Sequence, residues 1–199
     1  MEPTGCELSA QAVDMVTAAA QVPSVSRVAA ILNPRAVSFR MAAKSNFRPC
    51  SRRIFSTVRC MLSLEEISDR LEIQQLLVDY STAIDNRRFD DLDKVFTPDA
   101  YIDYTALGGI EGQYPEVKKW LSEVLPNFPV YAHMLGNFSV QIDGDKATSR
   151  VICFNPMVLG GDNDQVLFCG LWYDDEFVRT PDGWRMTRRA ETKVFQKVM

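Results

Sequence analysis

The chain of 199 residues has few of the side chains that most often move protons or bind metals at neutral pH. It contains one histidine, His133, and five cysteines without CxxC or histidine-paired spacing. Because zinc sites are usually built from several cysteines and histidines, this pattern predicts no metal centre, and we expect no cofactor. The odd number of cysteines indicates reduced, buried thiols in a reducing compartment.

Long apolar runs are also missing. No uninterrupted apolar stretch approaches the ~18–20 residues that a helix needs to cross a bilayer, so we expect no membrane-spanning segment and no membrane partner. Residues 61–199 carry fourteen basic and twenty-three acidic side chains. Because nucleic-acid binding depends on lysine and arginine neutralising phosphates, this acidic part predicts no nucleic-acid partner.

The first part of the chain has the opposite charge. Residues 1–60 carry eight basic and three acidic side chains, and no acidic residue lies between Gln21 and Cys60. This composition is typical of an organelle transit peptide, and Arg53-Ile-Phe-Ser56 resembles a mitochondrial processing site. We interpret residues 1–60 as a basic, acid-poor leader and residues 61–199 as the folded domain. The leader predicts a mitochondrial location if it is a transit peptide; if it is a disordered tail, we expect a cytoplasmic one.

The folded domain begins with helix signals. Ser63-Leu-Glu-Glu66 is a capping box, and the apolar residues that follow recur at helical spacing to about Asn86. A second, short helix is predicted from Phe89 to Phe96, ended by Thr97-Pro98-Asp99. A short strand at Tyr101–Thr105 precedes a third helix with Pro115 in its first turn.

The remainder is rich in strand signals. Alternating apolar residues and turn sequences such as Asp143-Gly144 predict four strands joined in sequence, at Phe138–Ile142, Ala147–Val158, Val166–Arg179 and Trp184–Phe195. Helices followed by an antiparallel sheet make an α+β fold. A strongly bent sheet covered by helices can enclose a pocket for a small apolar ligand.

This order of elements resembles the SnoaL-like branch of the nuclear-transport-factor-2-like superfamily. The resemblance spans roughly Leu64 to Phe195 and implies a cone-shaped fold, with three N-terminal helices packed on a strongly curved antiparallel sheet. The strings that carry it are Leu92-Asp-Lys-Val-Phe-Thr-Pro-Asp-Ala100, Gly112, His133, Ile142-Asp-Gly-Asp145, Tyr173-Asp-Asp to Arg179, and Asp182-Gly-Trp-Arg185.

Three residues are similar to the Tyr/Asp/His arrangement of the bile-acid and scytalone dehydratases of this superfamily. The resemblance implies that His133 is a general base, that Asp85 orients it, and that Tyr80 donates a hydrogen bond to a substrate oxygen. Eliminating water next to a carbonyl needs a base for the acidic C–H and a donor for the developing oxyanion. The second histidine of scytalone-type enzymes has no counterpart in this chain.

Three further residues are expected to bind substrate. Tyr104 and Asp103 point to opposite faces of their strand, so at most one of them lines a pocket, and we assign Tyr104. Asn155 falls about where the bile-acid enzymes have an aspartate. Either Arg188 or Arg189 matches a pocket arginine, depending on strand register, and we assign Arg188.

The resemblance implies a cofactor-independent lyase, a dehydratase, or an isomerase. Its substrate would be a small polycyclic, steroid-like or polyketide-like hydroxy-ketone of secondary metabolism. The alternatives are a non-catalytic ligand-binding module or the small subunit of a larger enzyme, and an epoxide hydrolase using Asp103 and Arg150. We also expect a homodimer or homotrimer, for which Phe168, Trp172 and Val178 offer one shared strand face.

Overall fold

Helices cover one face of a six-stranded sheet in the part of the chain that the computed structural model describes, residues 61–161 and 165–199. The predicted leader lies outside these ranges, as do Cys6, Cys50 and Cys60, so its interpretation stays a prediction. None of the helices in the described ranges is both long and apolar enough to span a bilayer.

The elements follow the order that the sequence predicts, except for one short strand, Glu111–Gln113, that it does not predict. The two α-helices are α1 (Leu64–Asp85) and α2 (Tyr114–Val124), and short 3-10 helices lie at Phe89–Lys94, Thr105–Leu107 and Leu125–Asn127. The strands are β1 (Phe96–Asp103), β2 (Glu111–Gln113), β3 (Met134–Asp143), β4 (Lys146–Val158), β5 (Val166–Thr180) and β6 (Gly183–Val198).

Helix α1 begins at the predicted capping box, of which one half forms. The backbone N–H of Glu66 donates to Ser63 Oγ at 3.0 Å. The Glu66 carboxylate turns away from the cap and instead accepts from Arg70 at 2.9 Å. From Ile73 onward the apolar stripe of α1 is buried against the sheet, as its helical spacing predicts, whereas the apolar residues of the stripe before Ile73 are exposed.

The predicted second helix is corrected by the structure. A single stretch of 3-10 helix replaces it, and Thr97, Pro98 and Asp99 lie inside strand β1 rather than in a turn. Pro98 is tolerated there because the pairing of β1 with β6 is irregular between Phe96 and Tyr101, so its missing N–H breaks no regular ladder bond.

The sheet has the strand order β2-β1-β6-β5-β4-β3. Neighbouring strands pair antiparallel except β1 and β6, which run parallel. The helices and the inner face of this sheet share one apolar core. The predicted α+β fold with a curved, mainly antiparallel sheet is therefore confirmed.

A β-bulge in β6 decides which of its side chains face the core. Phe177 pairs with Met186 but Glu176 pairs with Arg188, so Thr187 is an extra residue on β6. Because side chains alternate along a strand, one extra residue moves every later side chain to the other face. Trp184 and Met186 point inward before the bulge, and Arg189 and Glu191 point inward after it.

A buried ion pair fastens α1 to the last two strands. The guanidinium of Arg179 donates to both oxygens of Asp69 at 2.7 Å, and the Trp184 indole N–H donates to Asp69 at 3.1 Å. The hydrogen bonds from Arg179 hold the pKa of Asp69 below its ordinary value. These contacts fix α1, which carries two of the predicted site residues, on the sheet.

The outer face of the sheet carries aromatic side chains. Phe168, Trp172 and Val178 share this face of β5 and are half-buried, as the alternation predicts. Phe154 of β4 stacks on Phe168, with ring centroids 5.9 Å apart, and Phe195 of β6 lies 6.3 Å from Phe154. This aromatic outer face is the surface on which the oligomer prediction rests.

Candidate functional site

A cavity lies between the helices and the inner face of the sheet. It holds about 580 Å³ of space not filled by atoms, counting its open mouth. Most of its wall is apolar or aromatic, and its polar side chains include His133, Asn155 and Glu191. Such a wall, with a few polar groups converging on it, is the usual form of a small-molecule site.

The end of α1 is hydrogen-bonded to the segment that precedes β3, next to this cavity. The Tyr131 hydroxyl donates to the backbone oxygen of Ile84 at 3.1 Å. Arg87, which leaves the helix in the left-handed conformation at φ 56°, donates to the backbone oxygen of Phe128 at 2.8 Å. These two contacts place the last residue of α1, Asp85, opposite His133.

Asp85 holds His133 through both carboxylate oxygens. Oδ2 accepts from the backbone N–H of His133 at 2.9 Å, and Oδ1 lies 2.6 Å from Nδ1 of the ring. The His133 side chain is 5% exposed and that of Asp85 25%. A carboxylate at Nδ1 selects the tautomer with its proton on that nitrogen, which leaves the Nε2 lone pair free to act as a base.

Asn155 contacts the other ring nitrogen. Its Nδ2 lies 3.0 Å from His133 Nε2, so the amide donates to the lone pair in that tautomer. Within the described residues the buried Oδ1 of Asn155 has no hydrogen-bond partner. By rotating, the amide can present Oδ1 to a protonated Nε2, so it can serve both charge states of the ring.

Tyr80 and Tyr104 form a second polar group on the cavity wall. Their hydroxyls are 2.7 Å apart, and both side chains are buried. Burial raises the pKa of Tyr80 and raises that of Tyr104 well above its ordinary value, so both phenols stay neutral. One hydroxyl donates to the other, and the accepting hydroxyl keeps its own hydrogen for a ligand.

The structure brings Tyr80, Asp85 and His133 to one cavity, but not as a single hydrogen-bonded triad. Residues five apart on an α-helix point about 140° away from each other. Asp85 bonds His133 at the helix end, while Tyr80 packs edge-on against the His133 ring, with centroids 6.2 Å apart. The site therefore consists of an Asp85–His133 dyad and a tyrosine pair.

The assignment of Arg188 to the pocket is wrong. Its side chain is 43% exposed on the outer face and lies 3.9 Å from Glu176. Arg189 faces inward because of the Thr187 bulge, and its side chain is 0% exposed.

Arg189 lies beneath the cavity wall rather than in the cavity. Its guanidinium carbon is 4.0 Å from the ring centroids of both Tyr80 and Tyr173. It donates to both oxygens of Asp175 at 2.8 and 2.9 Å. This cation is therefore neutralised by its partner, and its role is to support the tyrosines.

Glu191 is a site residue that the sequence reasoning missed. It lines the cavity from β6, and burial raises its pKa to about 8. Among residues 61–161 and 165–199 no hydrogen bond or ion pair is made by its carboxyl group. The alternation of side chains in β6, counted with the extra residue Thr187, is the signal that would have placed Glu191 on the inner face.

The set predicted for an epoxide hydrolase, Asp103 and Arg150, is not assembled. Asp103 accepts from the Thr105 hydroxyl and backbone N–H at 2.6 and 3.0 Å. Arg150 pairs with Asp174 at 3.0 Å on the outer face, so the two residues proposed for an epoxide hydrolase share no site.

The two cysteines of the described residues remain protonated thiols, and these residues contain no metal site. Burial raises the pKa of Cys153 and of Cys169 to about 12, which keeps both as thiols. The described residues contain no cluster of three histidine, cysteine, aspartate or glutamate side chains placed to hold a metal ion.

A family model describes the same region. The model of the SnoaL-like domain matches residues 65–190. The chain belongs to the SnoaL-like domain family. This SnoaL-like protein is 80% identical over 141 residues to uncharacterized proteins of Mycobacterium tuberculosis and Mycobacterium bovis, covering 71% of this chain and 96% of each relative.

Solved structures have the same fold. A protein from Kribbella flavida is 27% identical, with a TM-score of 0.62 over 66% of this chain and 94% of that one. A hexachlorocyclohexane dehydrochlorinase from Novosphingobium barchaimii is 20% identical, with a TM-score of 0.60 over 68% of this chain and 93% of that one. At that identity the second likeness shows the fold alone.

Proposed function

We propose that this SnoaL-like protein is a cofactor-independent lyase or isomerase that removes a proton from the carbon next to a carbonyl group. The observation that carries the proposal is the Asp85–His133 dyad facing a largely apolar cavity that is open at its mouth. A solved neighbour in fold is named a dehydrochlorinase, an enzyme of elimination. The favoured substrates are small, flat, uncharged hydroxy-ketones of polycyclic, steroid or polyketide type.

His133 Nε2 is the proposed base. An entering substrate displaces the Asn155 amide from Nε2, and the nitrogen then takes the proton of the C–H bond next to the carbonyl. Asp85 holds the imidazolium that forms, as a carboxylate at Nδ1 does in other histidine dyads. Asn155 can turn its unpartnered Oδ1 toward the new Nε2–H.

The tyrosine pair is the proposed oxyanion donor. As the C–H bond breaks, negative charge develops on the carbonyl oxygen, and a neutral phenol can donate to it without being ionised itself. Arg189 packs against the Tyr80 ring and supports the pair from behind. Its own charge is paired with Asp175, so it does not compete for the substrate.

The test is turnover by purified protein of a panel of bicyclic and steroid hydroxy-ketones, with His133→Ala and Tyr80→Phe. General-base catalysis contributes about 10²–10⁴-fold, so we expect a loss of that size in His133→Ala and a smaller one in Tyr80→Phe. Arg188→Ala, on the outer face, is the matched control. Equal turnover in His133→Ala and the wild type would remove the proposed base.

A non-catalytic binding module is the second candidate, and one observation favours it. Both ring nitrogens and the backbone N–H of His133 are already hydrogen-bonded, as in a histidine that has only a structural role. This candidate predicts that ligands from the same panel bind without turnover. It also predicts unchanged ligand affinity in His133→Ala.

A further inference from the structure

The cavity has a second ionisable group besides the Asp85–His133 dyad. Glu191 lies on β6, opposite Tyr173 in the register of β5, and His133 immediately precedes β3 on the far side of the same sheet. Both residues line the same cavity, and strands β5 and β4 lie between β6 and β3 in the sheet. A ligand in the cavity is therefore placed between His133 and Glu191.

The surroundings of Glu191 give its carboxyl group no partner. The cation whose charge acts on it, Arg189 on the same strand, is paired with Asp175. The other ionisable groups that face it are Asp103 from β1, the buried phenols Tyr80, Tyr104 and Tyr173, and the thiols Cys153 and Cys169. A carboxyl group in such a place is held as the neutral acid by the cost of burying its charge.

Dehydration needs a group of this kind. The base removes the C–H proton at one carbon, while hydroxide is a poor leaving group unless a proton reaches it as the C–O bond breaks. His133 cannot supply that proton, because it is receiving one. The tyrosine pair donates a hydrogen bond to the carbonyl oxygen, and its raised pKa values make it a poor source of a full proton.

We propose that Glu191 is the general acid that protonates the leaving hydroxyl group, a step that rests on the proposed lyase function. His133 Nε2 takes the C–H proton, and the C–H electron pair becomes the new C=C bond. The C–O bond breaks with its electrons on oxygen, which takes the Glu191 proton and leaves as water. Glu191 remains as the carboxylate and His133 as the imidazolium, and solvent returns the proton between them.

The nature of the leaving group separates this role from a structural one. Chloride leaves without being protonated, whereas hydroxide does not. The probes are a β-hydroxytetralone, which gives fluorescent naphthol after loss of water, and its β-chloro analogue. We expect Glu191→Gln to lose about 100-fold or more in kcat on the hydroxy compound and to keep the wild-type rate on the chloro compound.

Two control variants distinguish the possible failures. His133→Ala is expected to lose activity on both probes, and Glu176→Gln, an exposed glutamate of the neighbouring strand, on neither. Equal loss in Glu191→Gln on both probes, or no loss on either, overturns the general acid and leaves the lyase proposal standing. Full activity of His133→Ala on both probes instead removes the lyase proposal.

A second measurement does not depend on turnover. The infrared carbonyl band of a protonated carboxylic acid should be present in the wild type near neutral pH, disappear as the pH rises past about 8, and be absent in Glu191→Gln. If Glu191→Gln loses no such band, Glu191 is ionised in the resting protein and cannot be the general acid. The proposal is then wrong, whatever the turnover results.

Discussion

Replacing Glu191 by glutamine should make the protein more stable relative to wild type as the pH rises. The folded state raises the pKa of Glu191 from 4.5 to about 8, so folding favours its protonated form. The resulting stabilisation is complete below the unfolded pKa and is lost as the pH rises through the folded pKa. Glutamine cannot ionise and escapes this loss.

The size of the effect follows from the shift. One pKa unit corresponds to about 1.36 kcal/mol, so the full change, reached above the folded pKa, is about 4.8 kcal/mol. Between about pH 5 and about pH 8 the same relation yields about 3.5 kcal/mol. Part of the Glu191 residue is reached by solvent, and screening by water reduces the effect, so we expect about 2–3 kcal/mol over this range.

The assay is urea unfolding of wild type and Glu191→Gln, followed by circular dichroism at several pH values across that range. The difference between the two free energies of unfolding is plotted against pH, so that titration of all other groups cancels. Glu176→Gln, with a side chain 55% exposed, is the control and should show a flat difference. A difference for Glu191→Gln that changes by less than about 0.5 kcal/mol would refute the claim that burial perturbs this carboxyl group.

Two further predictions concern the support of the site and the outer face. Arg189→Met leaves the buried Asp175 without a partner and should lower the free energy of unfolding by about 3–5 kcal/mol. Arg188→Met, on the outer face, should change it by less than about 0.5 kcal/mol. Similar losses in both variants would contradict the inward assignment of Arg189. We propose that a second copy of the chain covers the aromatic outer face. Phe195, whose side chain is 46% exposed there, should not tolerate a charge in such an interface, so Phe195→Glu should lower the molar mass measured by light scattering. An unchanged oligomer would place the interface elsewhere.

The fold could be predicted from sequence because its signals are local. The capping residue Ser63 starts α1 within one residue of the expected position, and alternation with turn residues locates the four long strands. The prediction of a second α-helix was also wrong for a local reason. Its apolar spacing from Phe89 fits a 3-10 helix as well as an α-helix, and Pro98 is accepted by an irregular strand pairing that no local signal reveals.

The candidate site was predictable only in part. The single histidine leads to His133, and the resemblance to the dehydratases adds Asp85 and Tyr80. The face that β6 presents depends on one extra residue, Thr187, which is set by the pairing with β5 and has no signature of its own. That register error put Arg188 in the pocket and hid Glu191.

The Thr187 bulge also suggests how a SnoaL-like pocket could acquire new chemistry. A change that kept Thr187 but returned it to regular pairing with β5 would turn Arg188 and Ala190 inward, in place of Arg189 and Glu191. The methyl group of Ala190 would then occupy the place of the Glu191 carboxyl group, although neither residue had been substituted. In this fold, a change of strand register in the last strand is therefore a route to functional divergence that comparison of aligned positions overlooks.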